Sequence, residues 1–344
     1  MILVTGGTGL VGSHLLVELI KRNHSVKAIF RNEKKLNSVK NVFDYYFDNA
    51  DVHFNKIEWI KADITDVYSL EKAFKNVRIV YHCAAIVSFN EKDYKAMRKT
   101  NIEGTANMVN LAIAHKIKKF CYVSSIATIE KNSNSEMLIT EENEWNKESN
   151  NYGYAISKYG AEMEVWRGSQ ENLDVVIVNP GVILGSGFWQ SGTGELFSKM
   201  YQNFKFYTNG ITGFVGVKDV VKAMIKLTES NIKNERFILV SENISFKELF
   251  FKIADTFGRK RPSVKVDKTL SNLAWRVEKI KSFITGKPPL ITKHSANASL
   301  SIYCYDSGKI KKSLDFNFET IDKTIKDVCA DFLRDKKRYF KNNP

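Results

Sequence analysis

The 344-residue sequence predicts an α/β protein with a doubly wound parallel sheet and a second, smaller domain that is mostly helical. Short, nearly all-apolar runs alternate with helical patterns from Ile2 to Asn179. This alternation is typical of a parallel sheet that helices cover on both faces. Right-handed crossovers then give the doubly wound arrangement. After Pro180 the alternation stops, which indicates a different architecture for the rest of the chain.

The strands and helices follow in a regular order. Short apolar runs predict strands at Ile2–Val4, Ser25–Phe30, Glu58–Asp63, Arg78–Ala84, Phe120–Ser124 and Val175–Asn179. Helical spacing of apolar residues predicts helices at about Leu10–Arg22, Asp66–Phe74, Asn101–His115 and Tyr154–Gln170. Residues 181–216 are rich in glycine and are expected to be mainly loops. A helix at Val217–Glu229 and a strand at Phe237–Val240 return to the sheet, and the rest, from about Ser245, is helical and basic.

Composition narrows the class of protein. The chain is 43% hydrophobic and 26% charged, and no apolar run is long enough to cross a bilayer. A first strand at Ile2 leaves no room for a signal peptide. The four cysteines, Cys83, Cys121, Cys304 and Cys329, lack the spacing of a metal site or a disulfide framework. We therefore expect a cytoplasmic protein without a metal centre.

Positive charge is concentrated near the end of the chain. The net charge is +14, and residues 259–344 hold 20 basic and 9 acidic residues. No nucleic-acid-binding motif accompanies this charge, so we expect no nucleic acid partner. A helical stripe could be the buried face of a domain or a peripheral membrane contact. Its apolar residues are Leu270, Leu273, Ala274, Val277, Ile280, Phe283 and Ile284.

A glycine-rich segment, Thr5-Gly-Gly-Thr-Gly-Leu-Val-Gly12, directly follows the first strand. In such a turn Gly6 permits the sharp bend, Gly9 lets the backbone approach a pyrophosphate, and Gly12 lets the helix pack on the strand. The amides at the start of the next helix favour a phosphate. No Gly-Lys-Ser/Thr follows, so the segment is not a Walker loop. It predicts a dinucleotide site lined also by Thr8, Leu10 and Val11.

The end of the second strand indicates which dinucleotide binds. An acidic residue there suits the ribose 2′-hydroxyl of NAD, whereas an arginine suits the 2′-phosphate of NADP. Arg31 occupies this position, and Lys35 lies close behind it. The sequence therefore favours NADP(H) over NAD(H). Stacking of Arg31 on the adenine of NAD is the alternative.

A tyrosine and a lysine four residues apart predict the chemistry. Tyr154 and Lys158 share one face of a helix, so both can point into one cleft. A nearby ammonium favours the phenolate and brings the tyrosine into a useful pKa range. A serine should bind the substrate oxygen, and Ser125 is preferred over Ser124, with Thr128 a weaker candidate. A surface Tyr/Lys pair without a catalytic role is the alternative.

Six ordered motifs resemble the extended short-chain dehydrogenase/reductase family, the NAD-dependent epimerase/dehydratase group with a Rossmann domain. They are the glycine segment, Cys83-Ala-Ala85, Asn101-Ile-Glu-Gly-Thr105, Val123-Ser-Ser-Ile126, Tyr154-Ala-Ile-Ser-Lys158 and Asn179-Pro-Gly181, all within residues 1–240. The resemblance implies that Tyr154 exchanges a proton with the substrate, Lys158 binds the ribose and lowers the tyrosine pKa, and Ser125 orients the carbonyl. It also implies cofactor contacts by Asp63, Ile64, Ala84, Ala85, Asn101, Lys158 and Pro180.

The domains follow from the same resemblance. We expect a dinucleotide-binding domain at 1–180, to which 217–240 returns, a substrate domain at 181–216 and 241–335, and a basic tail at 336–344.

Ser-Ser-Ile and Asn-Pro-Gly-Val-Ile-Leu-Gly resemble the dihydroflavonol reductase and 3β-hydroxysteroid dehydrogenase branch. A substrate pocket at Val87, Phe89, Tyr152 and Phe188 then predicts a small, largely apolar carbonyl or alcohol substrate. The aromatic residues could instead simply pack the small domain.

Two alternative functions remain beside the reductase. A nucleotide-sugar epimerase or dehydratase with tightly bound NAD is the main alternative, although Ile126 and Glu130-Lys131 depart from the usual epimerase pattern. A dinucleotide-responsive binding protein is the second, and intact Tyr154 and Lys158 argue against it. A homodimer is implied by the resemblance alone.

Overall fold

The computed structural model describes residues 1–130, 138–146, 151–272, 275–276, 278 and 292–339. Its strands are β1 (Ile2–Thr5), β2 (Val26–Phe30), β3 (Glu58–Lys61), β4 (Ile79–His82), β5 (Lys119–Val123), β6 (Val175–Pro180), β7 (Val182–Leu184), β8 (Phe206–Tyr207), β9 (Ile211–Gly216), β10 (Glu235–Leu239), β11 (Glu242–Ser245) and β12 (Val264–Lys265).

The α-helices of the described residues are α1 (Leu10–Lys21), α2 (Leu36–Phe43), α3 (Ala50–Phe54), α4 (Val67–Phe74), α5 (Tyr94–Met97), α6 (Gly104–Ala114), α7 (Gly153–Gln170), α8 (Gly194–Tyr201), α9 (Val217–Glu229), α10 (Phe246–Thr256), α11 (Lys293–Ala298), α12 (Gly308–Leu314) and α13 (Ile321–Tyr339). A π-helix (Arg98–Glu103) joins α5 to α6. Short 3₁₀ helices lie at Glu33–Lys35, Glu91–Asp93 and Ile126–Thr128.

Seven parallel strands form the main sheet in the order β10-β6-β5-β4-β1-β2-β3. The strand order reverses between β1 and β4, and this reversal opens a crevice at the carboxyl ends of the strands. The glycine segment follows β1 at that point. The predicted Rossmann fold with a doubly wound parallel sheet is confirmed.

Two apolar layers hold helices on the sheet. One layer is built from α1, α2 and α9, and the other from α4, α6 and α7. The strands alternate between the layers, since Leu3 and Tyr122 belong to the second and Val4 and Cys121 to the first. Because β-strand side chains alternate in direction, nearly continuous apolar strands are required here.

The smaller unit differs from the expectation for residues 181–216. That segment contains α8 and two strands of a three-stranded sheet, ordered β11-β9-β7, where mainly loops were expected. Helices α8, α10 and α13 enclose its core around Phe197, Leu249 and Phe332. The helix predicted from Asn101 starts within the π-helix. Helix α13 ends at Tyr339, so it includes the first residues of the predicted basic tail.

Candidate active site

The glycine segment forms a turn that is closed against the end of β4. Gly6 has φ +67°, and a Cβ there would lie 2.6 Å from the Ala84 backbone nitrogen. A Cβ at Gly12 would lie 2.2 Å from the Gly6 carbonyl oxygen, so Gly12 lets α1 pack on the turn itself rather than on the strand. The Gly9 N–H donates to the Gly6 carbonyl at 2.9 Å. Thr8, Leu10 and Val11 are half-buried around this turn. The backbone cradle therefore fits the pyrophosphate of a dinucleotide, and side chains would fill it.

Arg31 and Asp63 meet at the carboxyl ends of β2 and β3. Arg31 Nη1 lies 3.6 Å from Asp63 Oδ2, and the two side chains are 55% and 37% exposed. Although partial burial opposes ionisation, hydrogen bonds from Thr65 and the Arg31 guanidinium hold the Asp63 pKa below its usual value. An exposed pair of this kind contributes little stability. The guanidinium is therefore available to an anionic ligand, with Lys35 exposed nearby.

The remaining predicted cofactor residues surround the crevice. Ile64 is buried, where it touches the Gly104 backbone, and Pro180 ends β6. The Ala84 N–H donates to Thr5 Oγ1 at 3.2 Å, and Ala85 beside it is exposed.

Asn101 lies in the π-helix, and its side chain is used within the protein. Its Nδ2 donates to the Ile86 carbonyl and to Ser157 Oγ, both at 2.9 Å. Its Oδ1 accepts from the Ile86 N–H at 2.7 Å. Asn101 therefore holds the chain after β4 against α7, and its predicted contact with the cofactor stays a prediction.

Lys158 is buried in the sheet-facing side of α7. Its Nζ donates to Tyr122 Oη and to the Val123 carbonyl, both at 2.7 Å. Burial lowers the pKa of Lys158 to about 7, and the carboxylate of Glu162 opposes that shift. The ammonium also lies 4.3 Å from the centroid of the Tyr122 ring. Two of its three N–H groups are thus used by the protein, which leaves one for a ligand.

Tyr154 and Ser125 lie together. Burial raises the pKa of Tyr154, and a hydrogen bond with the Ser125 side chain opposes the rise. Ser124 points elsewhere, because its Oγ donates to Glu162 Oε2 at 2.5 Å in the interior. Thr128 is fully buried and bonds the same carboxylate at 2.9 Å. Of the three candidates, Ser125 is the one beside the tyrosine.

Aromatic side chains extend outward from Tyr154. The Phe89 and Tyr152 rings stack with centroids 5.5 Å apart, and they lie 6.4 and 6.0 Å from the Tyr154 ring. His294 of α11 stacks on Tyr152 at 5.8 Å. These three side chains, Phe89, Tyr152 and His294, are called the aromatic wall below. The neighbouring Val87 is 64% exposed.

Phe188 is not part of this group. It packs against the core layer that contains α1 and α2. The next residue, Trp189, is buried and donates its Nε1 hydrogen to Asp335 at 3.0 Å. This loop therefore packs on the protein interior, and a role of half-buried Phe188 in the substrate pocket stays a prediction.

Sequence reasoning missed three residues of the site. Tyr122 and His294 gave no local signal, since one is a strand residue and the other lies 140 residues beyond Tyr154. Glu162 did give a signal, because it continues the four-residue spacing of Tyr154 and Lys158 on α7.

The predicted contact with a membrane depends on one apolar stripe, at residues 270–284. Within the described residues, no helix is long and apolar enough to cross a bilayer. Leu270 is 38% exposed, but Leu273, Ala274, Val277, Ile280, Phe283 and Ile284 of the predicted stripe lie outside the described residues. Peripheral contact stays a prediction, and co-sedimentation with anionic vesicles tests it.

Fold and site together define a class: Rossmann-fold proteins with a dinucleotide cradle at the strand-order reversal and a Tyr-x-x-x-Lys helix beside it. The chain belongs to the extended short-chain dehydrogenase/reductase family, the NAD-dependent epimerase/dehydratase group. A family model for NAD-binding proteins, described as male sterility protein, matches residues 4–241.

Curated relatives and a solved structure agree with this family. Anthocyanidin reductase of Arabidopsis thaliana is 28% identical over 293 residues, covering 76% of this chain and 81% of the relative. Cinnamoyl-CoA reductase 2 of Medicago truncatula is 27% identical over 252 residues, covering 68% and 70%. The crystal structure of gox2253 has a TM-score of 0.78 at 26% identity and covers 97% and 98%. The expectation of an oxidoreductase-type enzyme is confirmed at family level.

Proposed function

We propose that the protein is an NADP(H)-dependent oxidoreductase that reduces the carbonyl, or oxidises the alcohol, of a small and largely apolar substrate. One observation carries the proposal: Tyr154 lies beside Ser125 and also beside Phe89 and Tyr152 of the aromatic wall. A reactive hydroxyl beside a hydrogen-bonding serine and a flat apolar surface suits a carbonyl attached to an apolar body. The reductases among the curated relatives support the same class of substrate.

Each residue has a separate role in this mechanism. Tyr154 donates its proton to the substrate oxygen during reduction and receives it back during oxidation. Ser125 hydrogen-bonds that oxygen and fixes its position. Burial raises the Tyr154 pKa, and the Ser125 hydrogen bond opposes that rise. Lys158, one helical turn further along α7, adds an ammonium that favours the ionised phenol. When bound, the nicotinamide supplies or accepts the hydride.

The choice of NADP(H) rests on Arg31. Its guanidinium stands at the end of β2, and its partner Asp63 holds it only at 3.6 Å in an exposed setting. A 2′-phosphate offers a stronger, bidentate partner for a guanidinium. Lys35, exposed in the short helix that follows β2, adds a second positive charge in this part of the chain.

A substrate screen tests the proposal. Oxidation of NADPH is followed with aldehydes, ketones and sterols, and nucleotide sugars are included as the competing class. We expect turnover with apolar carbonyl compounds and its loss in Tyr154→Phe, which removes only the reacting hydroxyl. Full turnover in that variant would contradict the assignment of Tyr154. Protein that purifies with stoichiometric NAD(H) and inverts a nucleotide sugar would replace the proposal by the epimerase reading.

A further inference from the structure

Beneath the reacting groups, α7 carries a buried carboxylate. Tyr154, Lys158 and Glu162 follow at four-residue intervals, so their side chains lie along one face of the helix. The side chain of Glu162 has no exposed surface. A buried carboxylate is stable only when it is paired and hydrogen-bonded, so its partners show what it is for.

One oxygen of Glu162 holds the turn that bears Ser125. Glu162 Oε2 accepts hydrogen bonds from Ser124 Oγ at 2.5 Å, Thr128 Oγ1 at 2.9 Å and Asn179 Nδ2 at 3.0 Å. Asn179 Nδ2 and Thr128 Oγ1 also lie 3.2 and 2.9 Å from the Ser125 carbonyl oxygen. The carboxylate therefore fixes the turn through residues on both sides of Ser125. The Ser125 hydroxyl is hydrogen-bonded to Tyr154.

The other oxygen meets a cation from the edge of the sheet. Arg236 of β10 donates from Nη1 to Glu162 Oε1 at 3.2 Å, and its side chain is 17% exposed. Its remaining donors hold a different segment, since Nε and Nη2 bond the Glu141 carbonyl at 3.0 and 2.6 Å and Nη2 bonds that of Asn143 at 2.9 Å. The guanidinium is thus shared between the Glu162 carboxylate and two backbone carbonyls.

Lys158 lies four residues before Glu162 in mostly neutral surroundings. Its neighbours are Glu162 on its own helix, Tyr122 and the Val123 carbonyl from β5, and His82 and Cys83 from the end of β4. Tyr154 lies one turn before it on the same face of α7. Burial lowers the pKa of His82 to about 3 and raises that of Cys83, so both are neutral at pH 7. Among these groups, Glu162 is the one carboxylate.

We propose that Glu162 is a positioning residue that fixes the Ser125 turn and keeps Lys158 protonated, and that Arg236 limits how strongly Lys158 feels its charge. This inference rests on the proposed roles of Ser125 and Lys158. Arg236 and Glu162 thus act in opposite directions on the same lysine. If the two residues only stabilised the fold, removing either one would not change the protonation of Lys158 in opposite directions.

The opposition gives two variants with opposite outcomes. Glu162→Gln removes the negative charge and leaves Arg236 in place. The alkaline limb of the kcat/KM profile should then move to lower pH by about one unit, which is the effect of a partly screened charge one helical turn away. At pH 7 this is about a five-fold loss of kcat/KM. Arg236→Met frees the full charge of Glu162, so the same limb should move to higher pH. Limbs that stay in place, or that move in the same direction in both variants, overturn the proposal.

A surface pair on the same helix provides the matched control. Glu164 bonds Arg167 at 2.9 Å, and both side chains reach solvent. Glu164→Gln removes the same charge two residues away and should leave the limb unmoved. Circular dichroism and thermal melts show whether each variant is folded.

A direct titration separates this inference from the proposed function. The Lys158 side chain is followed by NMR in lysine-labelled protein without substrate, with Lys158→Met to assign the signal. The Lys158 pKa should fall in Glu162→Gln and rise in Arg236→Met, whether or not any carbonyl compound is turned over. If the NADPH screen fails and the pKa still moves, only the proposed function is wrong. If turnover is found and the pKa does not move, only this inference is wrong.

Discussion

Tyr122→Phe isolates one hydrogen bond to the buried lysine. Tyr122 Oη accepts from Lys158 Nζ at 2.7 Å, and the Val123 carbonyl is the second acceptor at the same distance. A hydrogen bond to a charged group contributes about 1.5–3 kcal/mol, and one pKa unit corresponds to about 1.4 kcal/mol. Loss of the hydroxyl should therefore lower the Lys158 pKa from about 7 by about one to two units.

The sign and size of the activity change follow from that shift. Lys158 must be protonated to favour the Tyr154 phenolate, so a lower Lys158 pKa moves the alkaline limb of kcat/KM to lower pH. At pH 7 the protonated fraction falls from about one half to between one tenth and one hundredth, a loss of about five- to fifty-fold. The assay is the pH profile of kcat/KM with NADPH saturating.

Tyr81→Phe is the matched control for that variant. Tyr81 is also buried, on β4, and its hydroxyl bonds Thr228 away from the site. Both variants should lose stability to a similar extent, and only Tyr122→Phe should move the limb. A limb at the wild-type position in Tyr122→Phe, together with a lower melting temperature in both, would show that Tyr122 is a core residue and nothing more.

Three further predictions concern other parts of the site. Ser125→Ala should lower kcat/KM by about a hundred-fold and cost about 0.5–2 kcal/mol of stability, because Ser125 Oγ also accepts from the Ala127 N–H at 3.1 Å. Ser124→Ala should cost about 1–3 kcal/mol of stability because it leaves buried Glu162 short of a donor. Kinetics and denaturant titration check the pair, and equal kinetic losses would contradict the choice of Ser125. Arg31→Ala should raise the KM for NADPH about ten-fold or more and leave that for NADH nearly unchanged, as steady-state kinetics with both cofactors will show. Burial lowers the pKa of His14 to about 4 and that of His82 to about 3, so the unfolded chain binds more protons than the folded protein below pH 6.5. Each histidine should therefore remove about 2 kcal/mol of stability by about pH 5. Melting temperatures that stay constant between pH 7 and pH 5 would refute this.

Local patterns were sufficient for the main sheet. The predicted strands agree with β1 to β6 to within two residues at each end, because each is a short apolar run that both core layers demand. The glycine turn and the Tyr154-Lys158 spacing are likewise local. Each depends on residues that are near one another in the chain, so a single sequence is enough to predict it.

The glycines of residues 181–216 show why local patterns failed there. They were interpreted as loop residues, yet Gly194 begins α8 and Gly213 lies within β9. A Cβ at Gly194 would lie 2.2 Å from the Phe188 carbonyl oxygen, and one at Gly213 would lie 2.5 Å from the Val240 side chain. Gly194 is required by close packing on the loop just before it, and Gly213 by close packing on the distant Val240. Such a requirement is invisible in the sequence, because it depends on where the neighbouring segment passes.

The same limit applies to the site, where burial has opposite effects on its two ionisable groups. Burial raises the Tyr154 pKa and lowers the Lys158 pKa, so each group alone would become neutral. Their neighbours decide the outcome. Ser125 stabilises the phenolate, and Tyr122, the Val123 carbonyl and Glu162 stabilise the ammonium. Of these neighbours, only Glu162 stands at a sequence spacing that shows its relation to the pair. The Tyr-x-x-x-Lys motif therefore identifies the reacting groups, but the working charge state of the site is set by residues that the fold brings to them.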